Sequence, residues 1–442
     1  MSPTRSPDVA PPHGVTALPH GMGWVITNRE IAVRLLSDDR LGVVESAPVV
    51  AALSRDLPAD VRPLAEELGE FADRIMLQAA PERHAELRRA FGRFFTADAV
   101  DARIPAMRAS AERLVEKFAG EGGGEFMTEV AFRYAIDVGS QLVGLPAAQF
   151  SRLHKLSQRL AMVAYASRLS EPTRAVREGH AALIAIRASI AQARSTAPKD
   201  SVLGSWNRGE TGDLSDADFE ANAVMLVQAT LETVAGMLGN AAVRILGTPG
   251  ALAVAEHRAE LLDEALRHEP PLKTLERVVR EPVSVDGFQF GRGQVISVQI
   301  AEANQMSGGG EAVAGRAVLS FGWGPYRCLG ARMARHQALE LFSALNRLAP
   351  DSTLAEPETE RVRHIRFDMP RRLLVRCSPA PGPLLEALTD ALAEHDLDRP
   401  LTSIERVVAG SVLGEFGHAE PEAVDAPRTI REWVTWAEHN RG

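Results

Sequence analysis

Phe321-Gly-Trp-Gly-Pro-Tyr-Arg-Cys328-Leu-Gly330 sets a lone cysteine among glycines, directly ahead of an apolar-striped run that opens Ala-Arg-Met-Ala-Arg335. Glycine at 322, 324 and 330 permits tight backbone turns and the close approach of a flat ligand. A sulfur at the start of the following helix lies at its positive end, which favours thiolate over thiol. A buried free cysteine in a glycine-rich turn is the plain alternative. The spacing of Phe, Gly, Gly, Cys and Gly is more than such a turn requires.

Other segments carry chemistry at meaningful spacing. Glu264-Ala-Leu-Arg267 places an acid and a base on one helix face, ahead of Pro270-Pro271 and Arg277. His84 and Arg88, four apart, put an imidazole and a guanidinium where both can meet a carboxylate. In Val227-Gln-Ala-Thr230-Leu-Glu232-Thr233-Val-Ala-Gly236 an acid adjoins a hydroxyl within an apolar run, and such a pair can relay protons into a dry pocket. Each taken singly is more often an ordinary surface feature.

In this order the segments resemble the cytochrome P-450 family: the cysteine loop, the ExxR element at Glu264 and Arg267, the His84/Arg88 helix, the strand arginine Arg277, and the acid–alcohol segment Glu232-Thr233. The resemblance implies a mainly α fold with small β-sheets and a bacterial, soluble type of protein. It implies heme b, with Cys328 on the iron and Phe321, Tyr326 and Gly330 in its loop. His84, Arg88 and Arg277 would hold the propionates, Glu264 and Arg267 would lock the loop behind the heme, and Glu232 and Thr233 would deliver protons. The implied activity is a monooxygenase acting on a secondary metabolite, such as an antibiotic precursor. NAD(P)H would supply electrons through a ferredoxin reductase and a ferredoxin. Arg88, Arg89, Arg93, Arg327, Arg332 and Arg335 would cluster on the cysteine side to receive the ferredoxin. Residues 45–80 and 155–200 would cover the substrate, with Ile75, Met76 and Leu77 facing either substrate or core.

The pattern departs from the family in three places. Tyr326 stands where a histidine or arginine is usual, with Arg327 beside it. Thr230 replaces a glycine and is expected to add bulk and a hydroxyl near the iron. The stretch from Asn304 to Phe321 is short, and Arg316 is its candidate for the arginine that completes the ExxR network. That short stretch supports a second reading from another class: a heme-free auxiliary protein that activates a glycosyltransferase. Such proteins typically lose the cysteine, and Cys328 remains.

The chain of 442 residues, 45% hydrophobic, can bury a large core. Its net charge of −9 argues against nonspecific nucleic-acid binding. Two cysteines, Cys328 and Cys377, argue against a disulfide framework and for a reducing cytoplasm. No charged-then-apolar leader and no run of some 18 apolar residues point to secretion or a membrane anchor. Residues 1–22 read as a flexible arm and 23–378 as the heme domain. Helical periodicity is expected over 25–37, 100–118, 129–145 and 150–168, and over one long central helix from Asp218 to Leu246 with Ser215 as its N-cap.

Residues 379–383 have linker composition, and 384–442 read as a helical extension. Thr402-Ser403-Ile404 and Thr429-Ile430 resemble helix starts in the second half of an acyl or peptidyl carrier protein. By that resemblance Ser403 would carry phosphopantetheine and the substrate would be a tethered thioester. A capping box between Thr402 and Glu405, opening an ordinary docking helix, is the other reading. Trp433 and Trp436 are then the contact candidates.

Overall fold

The computed structural model of the chain describes residues 11–43, 53–163, 171–305, 317–356 and most of 359–377, and of the last part 388, 391–392, 397–402, 405–406, 408–409, 412 and 427–439. It divides into two compact units, Met1–Ser378 and Pro379–Gly442.

The strands are β1 (Val15–Ala17), β2 (Gly23–Ile26), β3 (Leu41–Gly42), β4 (Gly123–Glu125), β5 (Thr274–Val279), β6 (Val283–Val285), β7 (Phe288–Phe290), β8 (Val295–Gln299), β9 (Thr353–Leu354) and β10 (Leu374–Arg376). The helices up to the middle of the chain are α1 (Arg29–Ser37), α2 (Arg62–Asp73), α3 (Pro81–Gly92), α4 (Ala97–Asp101), α5 (Ile104–Gly120), α6 (Phe132–Val143), α7 (Ala147–Met162), α8 (Pro172–Arg194) and α9 (Val202–Asn207). Beyond them come α10 (Asp216–Ala229), α11 (Glu232–Gly247), α12 (Ala255–His268), α13 (Ile300–Gln305), α14 (Ala331–Leu348) and α15 (Ile430–His439).

A five-stranded sheet runs β1-β2-β8-β5-β3. Its inner pairing sets Arg277 of β5 opposite Ile296 of β8. Within the described residues 11–22 this sheet corrects the expectation of a flexible arm over residues 1–22, because Val15–Ala17 pairs with Trp24–Ile26. The Pro and Gly residues there mark turns between short strands, and one is the 3₁₀ turn Pro19–Gly21. Likewise Val25 belongs to β2, so the first helix begins only at Arg29, capped by the Asn28 side chain.

Helices form the bulk of the unit, around a core that includes Phe91, Phe118, Phe126, Tyr134, Phe219 and Phe342. The central run starts as expected, with Ser215 and Asp218 in a capping box. It is not one helix, however: α10 stops at Ala229 and α11 begins at Glu232. Two hydroxyls explain the interruption. Thr230 Oγ1 donates to Leu226 O at 2.8 Å and Thr233 Oγ1 to Ala229 O at 2.6 Å, and such back-bonding bends helices. The span Asp216–Gly247 is long and apolar enough to cross a membrane by composition, yet 72% of its most apolar window is buried in the fold, as in a core helix.

The second unit has its own small core of Leu388, Leu401, Ala409, Val412, Ile430 and Trp433. Thr402 and Glu405 exchange bonds in the capping-box manner: Thr402 N donates to Glu405 Oε2 at 2.6 Å and Glu405 N to Thr402 Oγ1 at 3.3 Å. Thr429 accepts from Glu432 N at 3.2 Å to open α15. Ser403 and the Trp436 side chain lie outside the described residues. Trp433, read above as a contact candidate, is 2% exposed and belongs to the core. Trp433→Ala should cost about 3–5 kcal/mol, as much as so small a core supplies. The second unit is therefore expected to unfold alone, which limited proteolysis with mass mapping beyond Ser378 would show.

Candidate active site

The cysteine loop is held by its own backbone. Cys328 N donates to Phe321 O at 2.7 Å and Gly322 N to Leu319 O at 2.7 Å. Gly322 and Gly324 take φ of 73° and 66°. A Cβ on Gly324 would stand 2.3 Å from Leu36 O, so glycine is required there for conformation and for space. Gly330, at φ −80°, has no such backbone need. A Cβ there would sit 3.8 Å from the Cys328 sulfur, so its contribution is open room beside that atom.

The loop is tied to the rest of the unit by Asn304 of α13, which is fully buried. Its Oδ1 accepts from Leu319 N at 2.7 Å and from Arg29 Nη1 at 3.4 Å. Its Nδ2 reaches Arg267 O and Ser320 Oγ, each at 3.2 Å. Ser320 Oγ in turn donates to Leu266 O. The end of α12 is thus fastened to the loop through backbone carbonyls. Glu264, expected to pair with Arg267, instead accepts from Arg244 of α11 at 3.1 Å. Arg244 is already fixed by Glu269 at 2.6 Å, so its guanidinium is the nearer partner. Arg316 lies outside the described residues.

Around the loop stands a cluster of cations. His84 is buried, with its ring centroid 4.1 Å from that of Tyr326. Arg277 is buried too, its guanidinium carbon 4.7 Å from the same ring. Tyr326, in the place where the family has a base, is therefore an aromatic spacer between an imidazole and a guanidinium. Arg88 Nη1 donates to Arg327 O at 2.5 Å, one residue before the cysteine. Burial, with some relief from Tyr326, pulls the Arg277 guanidinium down to about 10, and its Nε has no hydrogen-bond partner. Burial and the neighbouring Arg88 and Arg277 charges pull His84 from 6.5 to about 4. Among the described residues no carboxylate pairs with His84, Arg88 or Arg277. Such a set fits a ligand that brings its own carboxylates, as heme does. Cys328 is accessible to solvent yet ringed by protein. Burial pushes its thiol up, while the Gly330 and Ala331 N–H groups and the Arg88 and Arg327 charges pull toward thiolate.

The helix break sorts three polar residues in three directions. Thr230, expected to add bulk and a hydroxyl near the iron, packs toward a neighbouring helix. Its hydroxyl oxygen lies 3.0 Å from where a Gly139 Cβ would be, so it faces α6. Glu232 Oε1 turns to α7, accepting from Gln158 Nε2 at 2.6 Å and meeting His154 Nε2 at 2.8 Å. Burial works to raise the Glu232 carboxyl, but the His154 and Gln158 bonds outweigh it and hold it below its ordinary value. Thr233 keeps its hydroxyl on its own helix. His154 and Asn304 escaped sequence reading. The only signal for His154 was its i,i+4 spacing from Gln158. Ile75 and Met76 are core residues, and Leu77 is 57% exposed.

Besides Arg88, held on Arg327 O, three of the six cysteine-side arginines are already engaged. Arg332 pairs with Asp101 at 2.7 Å, Arg335 with Asp263, and Arg93 with Ser205 Oγ at 2.5 Å. Arg89 and Arg327 have no ion-pair partner among the described residues.

Two measurements follow from this geometry. A histidine whose folded pKa lies below its unfolded one favours folding above the unfolded value and loses that contribution as pH falls. In ligand-free protein His84 should therefore cost roughly 3 kcal/mol between pH 6.5 and about 4, a slope that thermal melts should lose in His84→Asn. Asn304→Ala strands several buried partners and should destabilise the first unit by about 3 kcal/mol in urea unfolding.

Comparison with known proteins bears on the chain as a whole. No family model matches the chain. It is 26% identical to cytochrome P-450 107B1 of Saccharopolyspora erythraea over 377 residues, 81% of this chain and 89% of that one. It is 23% identical to the biotin biosynthesis cytochrome P-450 of Bacillus subtilis over 76% of this chain and 85% of the relative. Among solved structures it is similar to P-450BioI in complex with a fatty-acid-ligated acyl carrier protein, with TM-score 0.70, 21% identity, and 83% and 95% of the two chains covered. In sequence the chain is related to bacterial cytochrome P-450 monooxygenases, and its fold is theirs.

Proposed function

We propose that this enzyme oxidises a secondary metabolite, with heme held by Cys328 and electrons passed from NAD(P)H through a ferredoxin reductase and a ferredoxin in the cytoplasm. The observation that carries the reading is the basic set of buried His84 and Arg277 with half-buried Arg88, which adjoins the cysteine loop and has no carboxylate partner among the described residues. When bound, heme supplies oxygen activation at an iron whose thiolate ligand donates electron density. The protein's share is then placement. Arg277 and His84 orient the propionates and Arg88 braces the loop. Gly330 leaves the sulfur uncovered, and Glu232 and Thr233 serve protons at the helix break. The auxiliary, heme-free reading finds no support in a chain that retains the cysteine and these cations.

Residues 379–442 carry 12 acidic and 5 basic residues, so most of the net charge of −9 lies in the second unit. Steering of an acidic ferredoxin to the first unit then falls to local charges, foremost Arg89 and Arg327. The second unit's two threonine-opened helices, and the carrier protein bound to a structural neighbour, support a carrier-tethered substrate as the finer reading.

Heme-supplemented protein is expected to show a Soret band and a red-shifted reduced-CO complex, with the red shift lost in Cys328→Ala. A protein that stays colourless would overturn the proposal. Arg277→Gln should weaken heme affinity roughly tenfold to a hundredfold, as for loss of a charged hydrogen bond. Coenzyme A with a phosphopantetheinyl transferase, read by intact mass, tests Ser403. A mass gain there supports the tethered substrate on this chain, and no gain assigns any carrier to a separate protein.

A further inference from the structure

We infer that His154 is a positioning residue that keeps a transferable proton against Glu232. The inference rests on the monooxygenase reading and names a residue which that reading does not contain.

His154 lies on α7 with 6% of its surface exposed. Both ring nitrogens face oxygen: Nδ1 stands 3.4 Å from Val227 O and Nε2 stands 2.8 Å from Glu232 Oε1. A carbonyl oxygen only accepts, so Nδ1 must carry a hydrogen. Nε2 faces a carboxyl oxygen. A neutral imidazole has a single N–H, which Nδ1 takes. Two arrangements then satisfy both contacts. One is an imidazolium opposite a carboxylate. The other is a neutral imidazole whose Nε2 accepts from a protonated Glu232. They differ only in which side of a 2.8 Å contact holds the hydrogen. In both, the pair contains one proton more than a neutral histidine beside a bare carboxylate. Losing it would leave a buried lone pair facing an oxygen lone pair, which is costly.

The surroundings favour retention. Among the described residues Glu232 is the one charged side chain bonded to His154. On the same helix Gln158 donates to Glu232 Oε1 at 2.6 Å, and Ser157 Oγ donates to the His154 carbonyl at 2.8 Å. From α10, Gln228 Nε2 is engaged with Ser157 O at 2.7 Å. Neither α6 nor α8 sends a charged group into bonding distance of the ring. Glu232 adjoins Thr233 at the helix break, so a proton placed on Glu232 is at the site where the proposed delivery begins.

The step is a simple transfer. The Nε2–H bond of His154 breaks as an O–H bond forms on Glu232. The imidazolium becomes neutral imidazole, the carboxylate becomes a neutral acid, and no electron moves. A carboxylate alone cannot donate; the histidine makes Glu232 an acid when one is needed.

The direct test is nitrogen-15 NMR of full-length protein labelled at histidine. His154 is expected to show both nitrogens protonated. Alternatively it shows a neutral Nδ1–H ring together with a protonated carboxyl carbon signal at Glu232. A neutral ring beside an ionised Glu232 overturns the inference.

The second test uses His154→Gln, which keeps a donor toward Glu232 but holds no transferable proton. In heme-loaded protein with a surrogate ferredoxin pair and no added substrate, the measured quantity is hydrogen peroxide released per NAD(P)H oxidised. More peroxide is expected, at the expense of water, together with a larger solvent deuterium effect. The reduced-CO spectrum should stay unchanged. If Glu232→Gln raises peroxide and His154→Gln does not, the inference fails while the monooxygenase reading stands. If the chain takes up no heme, that reading fails, and the NMR result still decides the state of the pair.

Discussion

Five bonds on one buried amide hold the cysteine loop in place. Asn304 joins α13, the carbonyl end of α12, the loop ahead of Cys328, and Arg29 of α1. An amide offers two donors and an acceptor with two lone pairs, and here both ends are used. No apolar side chain of similar size could replace it without leaving those backbone groups unpaired in the interior. The consequence reaches the sulfur. Cys328 N is fixed to Phe321 O, two residues beyond the Leu319 N–H that Asn304 accepts. The position of the sulfur therefore depends on a residue 24 places earlier in the chain.

The residues proposed to touch a ligand were the legible part of the sequence. Cys328, His84, Arg88 and Arg277 carry chemistry in their side chains at helical or loop spacing, and the fold gathers them around one loop. What holds them was not legible. Asn304 looks like any asparagine, and its meaning comes from polar groups on three other segments. Glu264 and Arg267 have spacing for a pair, but spacing fixes only a helix face, and the closer guanidinium of Arg244 takes the acid. The central helix was read whole because its apolar pattern continues through Thr230. The break arises from hydroxyl back-bonding, which periodicity does not register. At the N-terminus, Pro and Gly content suggested looseness where three residues pair as a strand.

The two sides of the site handle buried charge in opposite ways. On the break side, Glu232 meets His154 and Gln158 and its charge is answered within the protein. On the loop side, His84 and Arg277 face each other across Tyr326, and neither has a carboxylate partner among the described residues. A buried unpaired guanidinium is expensive, and its lowered pKa is the same cost seen from the proton's side. A chain selected only for stability would place an acid there. Its absence is informative because the distal pair shows that this interior accommodates acid–base pairing elsewhere.

The thiol adds a second strained state at the same place. Burial holds Cys328 toward its protonated form although two backbone N–H groups and two arginines favour the anion. A ligand carrying both a cationic metal and carboxylates relieves both strains at once: the metal takes the thiolate, and the carboxylates answer His84 and Arg277. Stability withheld from the bare protein is then recovered on binding, in proportion to how well the cluster is prearranged. Rigidity of the loop and its charge imbalance thus serve one end. The Asn304 bonds keep the cations and the sulfur from drifting toward solvent, where each would lower its own cost and the site would lose its affinity.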